Sequence, residues 1–352
     1  MVKNRAGVLA SVADPLLLNL WDKCYSKNMK DSVDTVYVKM TNRMEPNVRD
    51  FIVNKLTNNG YHVWYQEQAD VHGNVLKDLM KEVKEETVIL LEDDFFVTSP
   101  GVLEPLFLKI ERGEVDCIGS TRGCCTTKMT DAIAKTFKLT GNSPEHPISE
   151  CPNLWPCLFV SKTTTLNKTD GHYAAKQWDK GTVVPYINMY CDEAECGDSF
   201  VWTSIQLRGQ GNTFAYEHQH HTAPDDLQDF PRRTALFSYN PIPWVHVGSL
   251  SSGVAGLLKY DNNVTLSCDK LTGNPTGYPI ADPTTILEYS RRLAMFKFIA
   301  DYGKLEDPSL DYYNKIYNNA VDRAITNMKL PIDIVSKFYK IMQYIFASTL
   351  RS

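Results

Sequence analysis

Glu86-Thr87-Val88-Ile89-Leu90-Leu91-Glu92-Asp93-Asp94-Phe95-Phe96-Val97 is the stretch that decides the fold. Five apolar or β-branched residues, Thr87 to Leu91, run straight into three carboxylates, and a second apolar run follows. A continuous apolar run bounded by charge predicts a strand buried on both faces. In an open α/β sheet, ligands bind beyond the C-terminal ends of such strands. Adjacent acids at that edge repel one another, and a cation among them relieves the repulsion. A solvated acidic turn is the alternative, but such turns are rarely flanked by a run like Phe95-Phe96-Val97.

Upstream, strands and helices alternate. Gly7 to Val12 reads as the first strand, and Pro15 suits the first turn of a helix through Leu20, Trp21 and Cys24. Val33 to Met40 is a second strand, Asn47 to Asn58 a helix stopped by Gly60, and Tyr61 to Tyr65 a third strand. Asn74 to Lys84 is a helix with Val75, Leu79 and Val83 on one face. Alternation with short links predicts a mostly parallel sheet covered by helices.

In that setting Ile89-Leu90-Leu91-Glu92-Asp93-Asp94 resembles the acidic motif of nucleotide-sugar-dependent glycosyltransferases with the Rossmann-like GT-A fold. The resemblance implies an α/β fold of that type over residues 1–256. Residues 5–120 would form the nucleotide-sugar part and 121–256 the acceptor part. It also implies that Asp94 binds a divalent ion, Mn2+ or Mg2+, against the donor diphosphate, with Asp93 beside it. Ser11, Val12, Ala13 and Asp14 after the first strand would touch the base and ribose. Asn74 would lie near the diphosphate, although its residue type also suits a helix N-cap, and Lys77 would reach a phosphate. The acid common after the second strand is replaced by Thr41-Asn42-Arg43, which leaves the base open and makes Arg43 a donor-site candidate.

Further on, Leu103 to Arg112 reads as a helix and Asp116 to Ser120 as a short strand. The polar, proline-rich stretch from Cys124 to Thr169, with its short apolar run Leu158-Phe159-Val160, reads as an excursion lying over the sheet near the acceptor. Trp155 and Trp178 suit either sugar stacking or a hydrophobic plug.

Cys196-Gly197-Asp198-Ser199-Phe200-Val201-Trp202 leads into a helix ended by Gly209 and Gly211. Asp198 reads from its position as a helix cap. The resemblance implies instead the base that deprotonates an acceptor hydroxyl in an inverting transfer, with Glu193 and Glu195 as substitutes. Glu195, Arg208 and His220 are the further acceptor-site candidates. In Glu217-His218-Gln219-His220-His221 the spacing supplies no third or fourth ligand for a stand-alone zinc site. Pro243-Trp244-Val245-His246-Val247-Gly248 is similar to the late histidine-plus-glycine element of several metal-dependent GT-A families, which implies His246 as a second protein ligand to the ion. A core imidazole is the alternative.

Residues 257–283 read as a linker or lid. Thr284 to Tyr302, Leu310 to Met328 and Ile332 to Leu350 read as a C-terminal helical appendage over 284–352. Its last helix is amphipathic and suits packing on the catalytic domain, with homodimer or membrane-surface contact as alternatives.

The chain has 352 residues, 22% of them charged, with a formal net charge of -5, and acids and bases are interspersed. No basic arm or stripe supports nucleic acid as a partner, though a local basic groove fits within an acidic total. No apolar run reaches 18 uncharged residues, the beginning lacks a signal-peptide pattern, and nine cysteines without zinc spacing read as reduced thiols. These features predict a cytoplasmic protein.

The leading expectation is metal-dependent transfer of a sugar from a nucleotide diphosphate sugar to a hydroxyl acceptor, with inversion. A retaining transferase of the same fold, a sugar-phosphate nucleotidyltransferase and a non-catalytic carbohydrate-binding protein are the alternatives. The nucleotidyltransferase normally carries a glycine-rich, basic loop after the first strand, where this chain has Ser11-Val12-Ala13-Asp14-Pro15.

Overall fold

The computed structural model describes residues 4–11, 15–41, 46–68, 70–121, 126–139, 142–143, 146–147, 153–217, 238–239, 244–246, 294, 297–298, 301 and 332–346. The first half runs β1 (Arg5–Ser11), α1 (Pro15–Asn28), β2 (Thr35–Thr41), α2 (Pro46–Asn58), β3 (His62–Gln66), α3 (His72–Met80) and β4 (Thr87–Glu92). Then come β5 (Phe95–Val97), α4 (Glu104–Glu111), β6 (Cys117–Thr121), α5 (Thr127–Thr136), β7 (Asn142–Ser143), β8 (His146–Pro147), β9 (Leu154–Lys162) and α6 (Thr163–Leu166). Short strands β10 (Lys176–Trp178), β11 (Val183–Val184), β12 (Met189–Tyr190) and β13 (Glu195–Gly197) lead to α7 (Val201–Gly209) and β14 (Phe214–Glu217). β15 (Ser238–Tyr239), β16 (Trp244–His246) and α8 (Ile332–Ile345) complete the described elements.

The main sheet has seven strands in the order β14-β6-β9-β4-β1-β2-β3. Its pairings are parallel except where β9 runs antiparallel between β4 and β6. This is the expected α/β architecture, a mostly parallel sheet flanked by helices. The apolar run sits at its centre, with Thr87 to Leu91 buried. Successive side chains of a strand point to opposite faces. Accordingly Val88 and Leu90 join Val75, Leu76 and Leu79 of α3 in one core cluster, while Ile89 and Leu91 join α1, α2 and α4 in the other.

One expectation needs correction. Leu158-Phe159-Val160 does not lie over the sheet; it is the middle of β9, a central strand paired with both β4 and β6. The pairing with β6 jumps from Gly119↔Phe159 to Ser120↔Trp155, so the register shifts beside Pro156. Proline cannot donate to the ladder and is tolerated in a sheet at such a bulge. The apolar face of α8 packs within the molecule, as its amphipathic pattern predicts. Val335, Phe338, Met342 and Phe346 join the core cluster of Phe95, Phe96 and Trp244, with Phe346 edge-on to Phe96 at 5.4 Å. That face is used in intramolecular packing. The linker or lid at 257–283 lies outside the described residues, as do the appendage's other two helical segments apart from 294, 297–298 and 301. Among the described residues no helix is long and apolar enough to cross a membrane.

One close approach fixes the site's geometry. A Cβ built on Gly73, in the first turn of α3, would lie 2.0 Å from the Ala174 backbone nitrogen and 2.3 Å from its Cα. The segment 170–176 therefore rests directly on the start of α3, and backbone cannot yield as a side chain does. Gly73→Ala should cost about 1–3 kcal/mol through overpacking, read as a lower urea midpoint at unchanged slope. A midpoint equal to wild type would show that the two backbones separate easily.

Candidate functional site

The C-terminal ends of β1 and β4 carry the acidic motif. Ala10 pairs with Glu92, so the next residues, Ser11 and Asp93, lie side by side at the sheet edge. The Ser11 hydroxyl donates to Asp93 Oδ2 at 2.9 Å, which fixes that carboxylate. Asp93 and Asp94 form the two-residue turn between β4 and β5, and each is only 2% exposed. Alternation sends Glu92 the other way, toward α3, where its Oε1 lies 3.9 Å from His72 Nδ1. The three acids are thus spread apart: Glu92 faces α3, Asp93 faces Ser11, and Asp94 sits in the turn.

After the turn, β5 enters a second, three-stranded sheet with β16 and β15. Its antiparallel register pairs Trp244 with Val97, Val245 with Phe96, and His246 with Phe95. Directly opposed residues in such a ladder have Cα atoms roughly 4.5–5.5 Å apart. The backbone of His246, remote in sequence, therefore lies next to Asp94. Trp244 anchors the pairing, buried with its ring 5.0 Å from Phe95.

For a divalent cation the donor set fits. Carboxylate oxygens are the ligands Mn2+ and Mg2+ prefer, and imidazole is a common additional ligand. Among the described residues no group of three or more His, Cys, Asp and Glu makes a metal shell by itself.

Asp198 is held on the face of the sheet that carries α3, and it is not a helix cap. The helix begins at Val201, and its N-cap is Phe200, in the left-handed region at φ 70°. Asp198 opens the turn before it: its carbonyl accepts from Val201 N at 3.2 Å, and its Oδ1 accepts from Ser199 N at 2.7 Å. A turn with positive φ at its third residue usually has glycine there. Here Phe200 takes that position because its ring is locked, 4.7 Å from Phe159 and 5.6 Å from Tyr173. Strain of this kind persists only where packing over-determines it. Gly197 answers a different need, since a Cβ there would lie 2.8 Å from Val201 Cγ1.

The Asp198 turn and the start of α3 share one support. Phe200 N donates to Tyr173 O at 2.9 Å, and the Tyr173–Ala174 backbone abuts Gly73. Asp170 ties the same segment to α7 by accepting from Trp202 Nε1 at 2.7 Å. Burial pushes the Asp170 carboxyl up, but the Trp202 indole and the His172 amide outweigh it and hold it below the usual carboxylate range.

The other candidates fall into distinct groups. Asn74 is exposed and sits inside the first turn of α3, whose N-cap is Val71, so it does not cap the helix; its amide donates to Asp70 Oδ1 at 2.9 Å. The stem of Lys77 runs toward Gly171, whose added Cβ would lie 3.7 Å from Lys77 Cε. Trp178 is buried in the cluster with Trp202, ring centroids 5.9 Å apart, which is the plug role and not a stacking platform. Trp155 is half-buried on the opposite face. Glu195 is buried against α5, accepting from the Thr126 hydroxyl with Lys128 Nζ 4.0 Å away, so it fastens that helix. Arg208 is at the far end of α7, roughly 15 Å of helix and turn from Asp198. There it donates to the Tyr216 hydroxyl and lies over Phe214 at 4.2 Å. Burial pulls its pKa below the ordinary arginine value. Its guanidinium is engaged there with Tyr216 and Phe214. Val12, Ala13, Asp14, Arg43, His220 and the His246 side chain lie outside the described residues.

Two features were missed in the sequence. His72 meets Glu92 only because α3 begins at the same sheet edge where β4 ends. Glu217, last residue of β14, is half-buried beside Ser120 at that edge. Burial pushes its carboxyl above the usual range, against a weaker opposing pull from Lys109.

No protein-family model matches this sequence, and no curated protein matches it. Solved structures give likenesses of the chain trace. One is S. aureus TarS, at TM-score 0.40 and 11% identity, over 92% of this chain and 44% of that one. The chain thus spans less than half of TarS. A second is glucosyl-3-phosphoglycerate synthase from Mycobacterium tuberculosis, in complex with Mn2+, uridine diphosphate and phosphoglyceric acid. It scores 0.39 at 13% identity, over 66% of this chain and 76% of that one. A third is the mannosyltransferase PcManGT from Pyrobaculum calidifontis, in complex with GDP-Man and Mn2+, at 0.39 and 9% identity over 99% and 86%.

Proposed function

We propose that the chain is a GT-A-type glycosyltransferase that moves a sugar from a nucleotide diphosphate sugar to a hydroxyl acceptor, with inversion. The observation that supports this reading is the enclosed Asp93-Asp94 turn beside Ser11 at the ends of β1 and β4, with the His246 backbone paired to the next residue, Phe95. Asp94, with Asp93 and the His246 side chain, would hold a divalent cation, Mn2+ or Mg2+. When bound, the cation neutralises charge on the departing diphosphate. Ser11 fixes the orientation of Asp93, which limits what must reorganise when donor binds. Asp198 takes the proton of the acceptor hydroxyl as that oxygen attacks the anomeric carbon. Asn74 and Lys77 line the donor side. Catalysis would reside in residues 1–256, with 257–283 as lid and 284–352 as appendage. An intracellular setting fits Cys24, Cys117, Cys157, Cys191 and Cys196, which form no disulfide among the described residues.

The test is a thermal-shift and hydrolysis screen with Mn2+ and uridine, guanosine, cytidine and thymidine diphosphate sugars. At least one should raise the midpoint and turn over, and no response to any would refute the donor reading. Within it, His246→Ala should weaken apparent Mn2+ affinity by at least about tenfold, since even outer-shell partners of a metal cost about 10–100-fold. Unchanged Mn2+ affinity in a titration of nucleotide turnover would return His246 to a core role.

A further inference from the structure

At the start of α7, beside the Asp198 turn, one cation is held against two tryptophan faces. The antiparallel register of β10 and β13 pairs Lys176 with Gly197, so the Lys176 backbone lies next to the residue that precedes Asp198. Its side chain reaches α7, where Nζ sits 4.0 Å from the centroid of the Trp202 ring and 5.8 Å from that of Trp178. Among the described residues Nζ has these rings as contacts and makes no ion pair. An ammonium carries three N–H donors, and a ring face steadies its charge without replacing three acceptors. Asp170 is the nearby acid, but both its oxygens are taken. Its Oδ2 accepts from Trp202 Nε1 at 2.7 Å, and its Oδ1 accepts from His172 N at 2.9 Å. Lys176, Asp198 and Ser199 are each half-buried, so solvent reaches this end of α7.

We propose that Lys176 selects an acceptor that carries an anionic group, a phosphate or a carboxylate, close to the hydroxyl that receives the sugar. This rests on the transferase reading above, with Asp198 as base, and adds the chemical class of the acceptor. A half-buried ammonium short of acceptors is unfavourable, and an anion relieves it best. Hydrogen bonds between ionised partners are roughly twice as strong as neutral ones. The tryptophan faces already hold the lysine stem, so little of its freedom remains to be lost when the anion binds. The placement fits the same role. The Asp198 carboxylate repels a second anion, so the charged group of the acceptor belongs on the Lys176 side and its hydroxyl on the Asp198 side. A lysine that only covered the tryptophans would serve neutral and anionic acceptors alike, and that difference is measurable.

The full chain, with Mn2+ and the nucleotide sugar that it turns over, is given matched acceptors: glycerol and glycerol 3-phosphate, glucose and glucose 6-phosphate, glucose and glucuronate. If no nucleotide sugar binds or turns over, the transferase reading itself falls before acceptors are compared. If one does, the anionic member of a pair should be preferred about tenfold or more in kcat/KM, mainly through KM, as one charged hydrogen bond provides. Lys176→Met, whose stem still covers Trp202, should bring that ratio close to one. Lys176→Arg, which keeps the charge, should retain most of it. The ratio serves even if a variant folds only in part, because both members of a pair then lose turnover alike. A preference confined to the phosphates, or to glucuronate, names the anion. Equal use of the neutral members by the wild type, or a ratio unmoved in Lys176→Met, would overturn the proposal. So would anionic members that neither accept sugar nor bind calorimetrically to the donor-loaded protein, and Lys176 would then be a cover for the tryptophans.

Discussion

Asp94→Asn should lose almost all sugar transfer while folding like the wild type, and EDTA should do the same to the unaltered protein. The substitution keeps shape and volume but removes the charge that would hold a divalent ion in the β4–β5 turn. Asp94 is 2% exposed, and at so enclosed an edge, charge on a departing diphosphate is poorly compensated by water. Cation neutralisation is worth several kcal/mol of transition-state stabilisation, and each 1.36 kcal/mol is tenfold in rate. A fall of about a hundredfold or more in kcat/KM is therefore expected. Asp93→Asn should cost less, because an asparagine oxygen can still accept from the Ser11 hydroxyl. EDTA without effect, together with an Asp94→Asn rate within about threefold of wild type, would remove the metal from the mechanism.

Asp198→Asn should leave donor binding and the Mn2+ requirement intact and stop acceptor-dependent turnover. A hydroxyl is a poor nucleophile until its proton leaves, and a carboxylate about 2.6–3.2 Å away can take it in the transition state. The carboxylate is not mounted on a helix end, since α7 starts three residues later. Its mount is the strained turn at Phe200, braced by Phe159 and Tyr173. Asparagine can still accept from Ser199 N, so the turn should survive. Loss of a general base typically costs about 10²–10⁴-fold. Proton NMR of the product's anomeric signal gives an independent check. Retained configuration with an active Asp198→Asn variant would mean that Asp198 only shapes the turn.

The sheet was legible wherever one signal dominated. Thr87 to Leu91 had to be doubly buried, and the strand–helix alternation before it fixed a parallel layout for β1 to β4. Once those strands were aligned, Ser11 and the acidic motif had to share an edge. The central strand β9 escaped because Pro156 interrupts its pattern, and the bulge that tolerates the proline cannot be read from a local window. Asp198 looked like a cap because Phe200 carries no sign that it will adopt positive φ; only its packing imposes that. His72 and Glu92 are separated by a helix and most of a strand, and only pleat direction together with the crossover brings them together. The same holds for His246, whose register against Phe95 is a pairing between distant segments.

Crystals grown with Mn2+ and the diphosphate of whichever nucleotide sugar binds best, measured at a wavelength where manganese scatters anomalously, test the central claim most directly. The expected map has one manganese peak within coordination distance of Asp94, beside the bound diphosphate, with His246 as a further ligand. Nucleotide bound with its phosphates away from the β4–β5 turn, or a manganese peak that Asp94 does not touch, would contradict it.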